Sequence, residues 1–172
     1  MDFHRITSPA DPLYRPALEI YGQSFPLHEQ RLPASQEQIL AHPAYHFTCL
    51  TEGEQLIGIL LYWETADFSY VEHFAVDPAL RGQNYGGRAL KELCAAGRPV
   101  LLEIDPLTTE IAVRRQKFYQ RLGFQANPYG HVHPPYRAGF QGHELIVMSY
   151  PQAISEGLYQ TFAAYLKDVV MA

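Results

Sequence analysis

Between Val71 and Leu90 an apolar strand, Val71-Glu72-His73-Phe74-Ala75-Val76, passes through Asp77-Pro78 into a glycine-punctuated loop, Arg81-Gly82-Gln83-Asn84-Tyr85-Gly86-Gly87, and then into a helix expected over Gly86–Ala96. This order constrains the chain more than any other feature. Backbone N–H groups at a helix start lack intrahelical partners and lie at the positive end of the helix dipole. A loop with little side-chain bulk lets a phosphate approach those donors closely. The run lacks the G-x-G-x-x-G of a dinucleotide fingerprint and the Lys-Ser/Thr pair of a P-loop, so it is an anion cradle of another kind.

At 172 residues the chain is expected to form one domain, 1–172, large enough to bury a full core. An apolar fraction of 47% argues against disorder, and a net charge of −5 disfavours a nucleic-acid partner. Cys49 and Cys94 lie far apart in apolar runs and read as reduced core thiols. No signal-like N-terminus and no apolar run of about 18 residues is present, so a cytoplasmic protein without a membrane partner is expected.

Periodicity and capping signals predict a strand over Phe3–Thr7 and a helix capped by Asp11 with Pro12 first, ending near Gly22. A short helix follows from a Ser35/Gln38 capping box through Leu40. Tyr45–Thr51 and Gln55–Trp63 form a hairpin, and Phe68–Val76 the next strand. Val100–Ile104 is a strand, Thr109–Leu122 a helix, and Gly123–Ala126 begins another strand. Residues 127–142 are expected as a long loop, His143–Tyr150 as a strand. A final helix carries Ile154, Leu158, Phe162, Leu166 and Val169 on one stripe, either core or the face of a homodimer.

The segment Arg81–Gly87 resembles the acyl-CoA pyrophosphate loop of the GNAT superfamily of N-acetyltransferases. Phe118-Tyr119-Gln120-Arg121-Leu122-Gly123-Phe124 is similar to that family's F/L-Y-E-K-L-G-F segment. The resemblance covers roughly 47–124. It implies an α/β (α+β) fold: a mixed, mostly antiparallel sheet with helices on both faces and a C-terminal helix. It implies acetyl-CoA as co-substrate, without a metal, held by Phe74, Ala75, Val76, Arg81, Gly82, Gln83, Asn84, Tyr85, Gly86 and Gly87. Tyr119 matches the tyrosine that protonates the departing thiolate. Ala112 and Arg115 depart from the family's Asn and Ala at those positions, which puts the usual Asn contact to the cofactor in doubt.

Two carboxylates interrupt apolar strands. Glu103 stands in Val100-Leu101-Leu102-Glu103-Ile104, where desolvation raises a carboxyl toward the range of a useful base. Glu72 is the rival base or substrate ligand, and strict alternation puts Tyr70, Glu72, Phe74 and Val76 on one face with Val71, His73 and Ala75 on the other. Either could instead satisfy a neighbour in the sheet. In Tyr129-Gly130-His131-Val132-His133-Pro134-Pro135-Tyr136, two histidines without a third ligand make a poor metal site. His133 and Tyr136 are expected to line an acceptor pocket. These residues point to acetyl transfer from acetyl-CoA to a primary amine, small molecule or peptide, by direct attack with a general base. The alternatives are a non-catalytic acyl-CoA binding or sensing domain and an ordinary α/β domain with a coincidental glycine loop.

Overall fold

The computed structural model describes residues 1–172 as a mixed sheet flanked by helices on both faces. The strands are β1 (Asp2–Ile6), β2 (Tyr45–Glu52), β3 (Gln55–Glu64), β4 (Ser69–Val76), β5 (Val100–Ile104), β6 (Gln125–Ala126), β7 (His131–His133) and β8 (His143–Tyr150). The helices are α1 (Tyr14–Ser24), α2 (Pro33–Ile39), α3 (Tyr85–Cys94), α4 (Glu110–Arg121) and α5 (Glu156–Tyr165), the last continued by a π turn over Leu166–Val170. Strand order is β1-β2-β3-β4-β5-β8-β6, with β7 also pairing β8. Every pairing is antiparallel except that of β4 with β5. No helix is long and apolar enough to cross a membrane.

Local signals explain most boundaries. Thr109 and Ser155 cap α4 and α5, accepting from the N–H groups of Ala112 and Leu158. Asp11 instead closes a turn through its side chain to Leu13 N–H, and α1 starts only at Tyr14 and runs past Gly22 to Ser24. The expected capping box at Ser35 does not form. Pro33, with φ already fixed for a first helical turn, starts α2 and leaves Ser35 inside it.

Residues 127–142 are not wholly a loop, because His131–His133 adds to the edge of β8. In that strand both histidines are buried and Val132 is 56% exposed, the reverse of an apolar-in pattern. On the last helix the buried residues are Tyr159, Phe162, Leu166 and Val170, with Leu158 and Val169 only half-buried. The π turn adds a residue to the final turn, which brings Val170 inward in place of Val169. This stripe belongs to the core.

That core has two parts, one on each face of the sheet. One gathers Tyr21, Phe47, Trp63, Tyr70, Phe162 and Leu166 beneath α1 and α5. The other gathers Leu60, Val71, Leu90, Leu102, Phe124 and Met148 beneath α3 and α4.

Two irregularities in β4 create the functional region. Leu61 pairs His73 while Tyr62 pairs Val71, so Glu72 is an extra residue in the strand. Such a bulge resets the alternation of faces. Tyr70, Glu72, His73 and Ala75 therefore face the α1/α5 side, whereas Val71, Phe74 and Val76 face α3 and α4. The strict alternation expected from sequence fails at this point. In addition, β4 and β5 pair only at Ser69–Val100 and Tyr70–Leu101. Beyond that point β4 stays with β3 and β5 with β8, and the sheet forks.

Candidate active site

The glycine loop lies on the α3/α4 face of the fork. Asp77 accepts from Ala79 N–H and closes the turn after β4. Gly82 (φ 82°) and Asn84 (φ 62°) then hold left-handed backbone and turn the chain into α3. Asn is one of the few side-chain residues that tolerate this conformation. No protein acceptor meets the backbone N–H groups from Arg81 through Gly87, and Asn84 makes no side-chain cap. Beneath them, a Cβ on Gly86 would meet the Phe74 ring at 3.3 Å, and one on Gly87 would meet Asn84 Oδ1 at 2.6 Å. Glycine at 86 thus allows the close seating of α3 on β4, and glycine at 87 leaves room for the Asn84 side chain. Free amides at a positive helix end fit the phosphates of CoA.

Tyr119 lies on the same face. Its ring packs edge-on against Phe118 and Phe124, and burial pushes its hydroxyl up to about 12. Ala112 is buried within α4, and Arg115 reaches Asp105 at 3.4 Å. Neither supplies the amide that the usual Asn would.

On the opposite face the two carboxylates occupy separate nests. Glu72 accepts from Arg31 Nη2 at 2.7 Å, Trp63 Nε1 at 2.8 Å and the Tyr136 hydroxyl at 3.1 Å. Burial pushes its carboxyl up, but Arg31, His73 and the Trp63 hydrogen bond outweigh this and hold it below the usual carboxylate range. Glu103 accepts from the Tyr70 hydroxyl and lies 2.5 Å from His131 Nε2. Burial again acts upward, and His131, His133 and Tyr70 together bring the carboxyl below its ordinary value. The sequence argument of a carboxyl raised by desolvation concerned Glu103, and there the hydrogen bonds and nearby positive charge outweigh burial. Each carboxylate is engaged by several donors and favours its charged form, which leaves little tendency to take a proton.

His133 and Tyr136 do reach this cluster. The Tyr136 ring lies 4.9 Å from His133 and 5.6 Å from His73, with the Arg31 guanidinium 5.6 Å from its centroid. The structure therefore brings together Glu72, Glu103, His133 and Tyr136 on one face of the fork. On the other it brings together Arg81–Gly87, Phe74, Val76 and Tyr119. Ala75 alone of the expected cofactor residues faces away from α3.

Arg31, Trp63, Tyr70 and Tyr159 were not visible as site residues. Trp63 carried a weak signal, as the one tryptophan at a strand end. Arg31 carried none, because its partner lies 41 residues away. No group of three or more His, Cys, Asp or Glu is arranged to hold a metal.

The sequence model of the acetyltransferase (GNAT) family matches residues 11–124. The chain belongs to the GNAT acetyltransferase family. Among individual GNAT-type relatives, it is 31% identical over 111 residues to YjbC of Bacillus subtilis (strain 168), which carries an acetyltransferase name. That match takes in 62% of this chain and 55% of YjbC, so the chain spans about half the length of that relative. It is 32% identical over 118 residues to the N-alpha-acetyltransferase RimI of Mycobacterium tuberculosis, covering 64% of this chain and 75% of RimI. A solved structure from Bacteroides thetaiotaomicron, classed by family as a GNAT acetyltransferase, superposes with a TM-score of 0.92 at 32% identity. It covers 99% of this chain and 98% of that one. The mixed sheet with a C-terminal helix is thus the GNAT fold.

Proposed function

We propose that the protein transfers an acetyl group from acetyl-CoA to a primary amine by direct attack, within a single domain. The observation that carries this reading is the run of unpaired amides from Arg81 through Gly87, seated beside the fork between β4 and β5. Those amides hold the pyrophosphate of the co-substrate, with Phe74 and Val76 beneath the loop. The fork gives the thioester a passage from the phosphate side to the face that carries Glu72, Glu103, His133 and Tyr136.

Direct attack is supported by the state of the two thiols. Burial pushes Cys49 up to about 12 and Cys94 up to about 11, so neither is a thiolate nucleophile at neutral pH. The amine must shed a proton. At an ordinary amine pKa of about 10.4, reaching the neutral form at pH 7 costs about 4–5 kcal/mol. Attack joins the amine nitrogen to the carbonyl carbon, the C–S bond breaks, Tyr119 gives its proton to the departing thiolate, and the proton lost by the nitrogen passes to solvent, from which Tyr119 is reprotonated. The ring of donors around Glu72 makes it a positioning residue that holds Arg31, Trp63 and Tyr136.

RimI bears the name of an N-alpha-acetyltransferase, which makes a peptide N-terminus one acceptor to try first. The test is thiol release from acetyl-CoA in the presence of diamines, amino acids and peptides with free N-termini. Amine-dependent release supports the reading. Tight acetyl-CoA binding with no release for any amine supports a sensing domain in its place.

A further inference from the structure

The polar cluster around Glu72 is sealed. The Glu72 and Arg31 side chains are 0% and 4% exposed, and His73 and His133 are 4% and 3% exposed. An amine reaches these groups only if a covering segment moves. That cover is the stretch 134–142 between β7 and β8. No backbone hydrogen bond joins it to another part of the chain, since the one it makes, Phe140 N–H to Arg137 O, is internal. Side chains alone hold it down. Arg137 donates through Nε to Gln30 O at 3.1 Å and through Nη2 to Arg31 O at 3.2 Å. The Phe140 ring lies 6.3 Å from that of His28.

Residues 138–142 are exposed, whereas Tyr136 reaches inward. Its hydroxyl donates to Glu72 at 3.1 Å. Its ring lies 4.9 Å from that of His133, 5.6 Å from that of His73 and 5.6 Å from the Arg31 guanidinium. Both histidines carry an unsatisfied nitrogen. His73 Nε2 lies 2.7 Å from Glu29 O and His133 Nδ1 lies 2.6 Å from Pro134 O, and because a carbonyl only accepts, these two nitrogens bear the hydrogens. His73 Nδ1 and His133 Nε2 are then buried lone pairs without a partner.

If Tyr136 withdraws, it leaves a recess bordered by these two rings and by a Glu72 carboxylate that has lost one donor. Arg31 also borders it, with its charge paired to Glu72. Lone pairs and a carboxylate accept hydrogen bonds, so the recess suits a group rich in N–H donors, an ammonium or primary amine. It lies where the sheet forks. Beyond Tyr70, β4 parts from β5 and carries Glu72, His73 and Phe74 in succession, and the Phe74 ring lies against Gly86. One short stretch of β4 thus joins the recess to the glycine loop.

We infer that Tyr136 is a removable plug in the amine-binding recess and that residues 134–142 are the strap that lifts it out. The inference rests on the acetyltransfer reading. With the strap down, Tyr136 satisfies Glu72 and fills the recess. With the strap raised, Arg137 releases the carbonyls of Gln30 and Arg31, and the amine takes the place of the ring. Binding draws on the raised population alone, so apparent amine affinity scales with its share.

The test uses the full chain. His28→Cys/Phe140→Cys bridged by a short bismaleimide pins the strap to the Leu27–Glu29 turn, and the same variant capped with N-ethylmaleimide is its control. Arg137→Ala loosens the strap instead. Diethylpyrocarbonate, which attacks unprotonated imidazole nitrogen, probes opening without any substrate, and mass spectrometry reads its addition at His133 and His73. Calorimetry measures acetyl-CoA binding, and product mass spectrometry measures acetylation of diamines and of peptides with free N-termini. Labelling is expected to be roughly tenfold slower in the bridged form than in its control and about threefold faster in Arg137→Ala than in wild type. Acetyl-CoA affinity is expected to be unchanged throughout. Amine acetylation by the bridged form is expected to fall roughly tenfold, and the amine KM of Arg137→Ala to fall about threefold at unchanged kcat. Equal labelling of bridged and capped proteins, or equal acetylation by the two, overturns the plug while leaving acetyltransfer intact. Failure of the wild type to bind acetyl-CoA overturns the functional reading itself, while the labelling still judges the strap.

Discussion

His131 Nε2 lies 2.5 Å from Glu103 Oε2, and the Tyr159 hydroxyl lies 2.9 Å from the other ring nitrogen. Through this chain of contacts α5 braces β7 against β5. The face of the fork that carries Glu103 is therefore tied to the C-terminal helix. His131→Phe keeps the ring volume and removes both polar contacts, leaving Glu103 with the Tyr70 hydroxyl alone. The expected loss is about 1–3 kcal/mol of stability, measured by urea unfolding.

Glu72 and Arg31 form an ion pair with side chains 0% and 4% exposed. Glu72→Gln leaves a buried guanidinium without its counter-charge. Removing one partner of such a pair costs about 3–5 kcal/mol, and a fall of that size in the unfolding free energy obtained from urea curves is expected.

The same carboxylates set an acid dependence. In the folded protein both Glu72 and Glu103 titrate below their ordinary values. Their contribution to stability is thus fully present above the ordinary carboxyl range and is lost as pH falls through the folded values. Unfolding midpoints measured from neutral pH downward are expected to fall through this window. Glu72→Gln is expected to flatten the fall.

Asn84 tests the cradle independently of catalysis. At φ 62° glycine is comfortable and a β-branched residue is not. Asn84→Gly is expected to keep acetyl-CoA affinity near wild type, and Asn84→Val to weaken it roughly tenfold, about 1.4 kcal/mol. Calorimetry on both variants checks this.

Tyr119→Phe tests the proposed proton donation to sulfur. Burial keeps that hydroxyl protonated to about 12, so the variant is expected to lose rate across the whole assay range. A kcat lowered about tenfold or more at unchanged acetyl-CoA affinity is the outcome to look for.

The glycine-loop face of the fork is plainly legible in the sequence and the face carrying Glu72 and Glu103 poorly so. Arg81–Gly87 and Tyr119 are local signals, because backbone shape and helix position follow from neighbouring residues. Most strands and helices were legible for the same reason. The Glu72 bulge was not, since an extra residue depends on the register of β3 and leaves no mark in β4's own composition. The engagement of Glu72 by Arg31, and of Glu103 by Tyr70 and His131, joins residues 28 to 41 positions apart. Sequence showed the burial of each carboxylate but not its partners, so the desolvation argument made for Glu103 took no account of Tyr70 and His131. The three-residue strand β7 was hidden by its inverted pattern, with histidines inside and valine outside.

The central claim is that this fork binds acetyl-CoA through the amides of Arg81–Gly87. Calorimetric titration of the protein with acetyl-CoA, with CoA and ATP in parallel, tests it most directly. Selective micromolar binding of the two CoA compounds is the predicted result. No binding at millimolar ligand would contradict the account, for the transferase and the sensor alike.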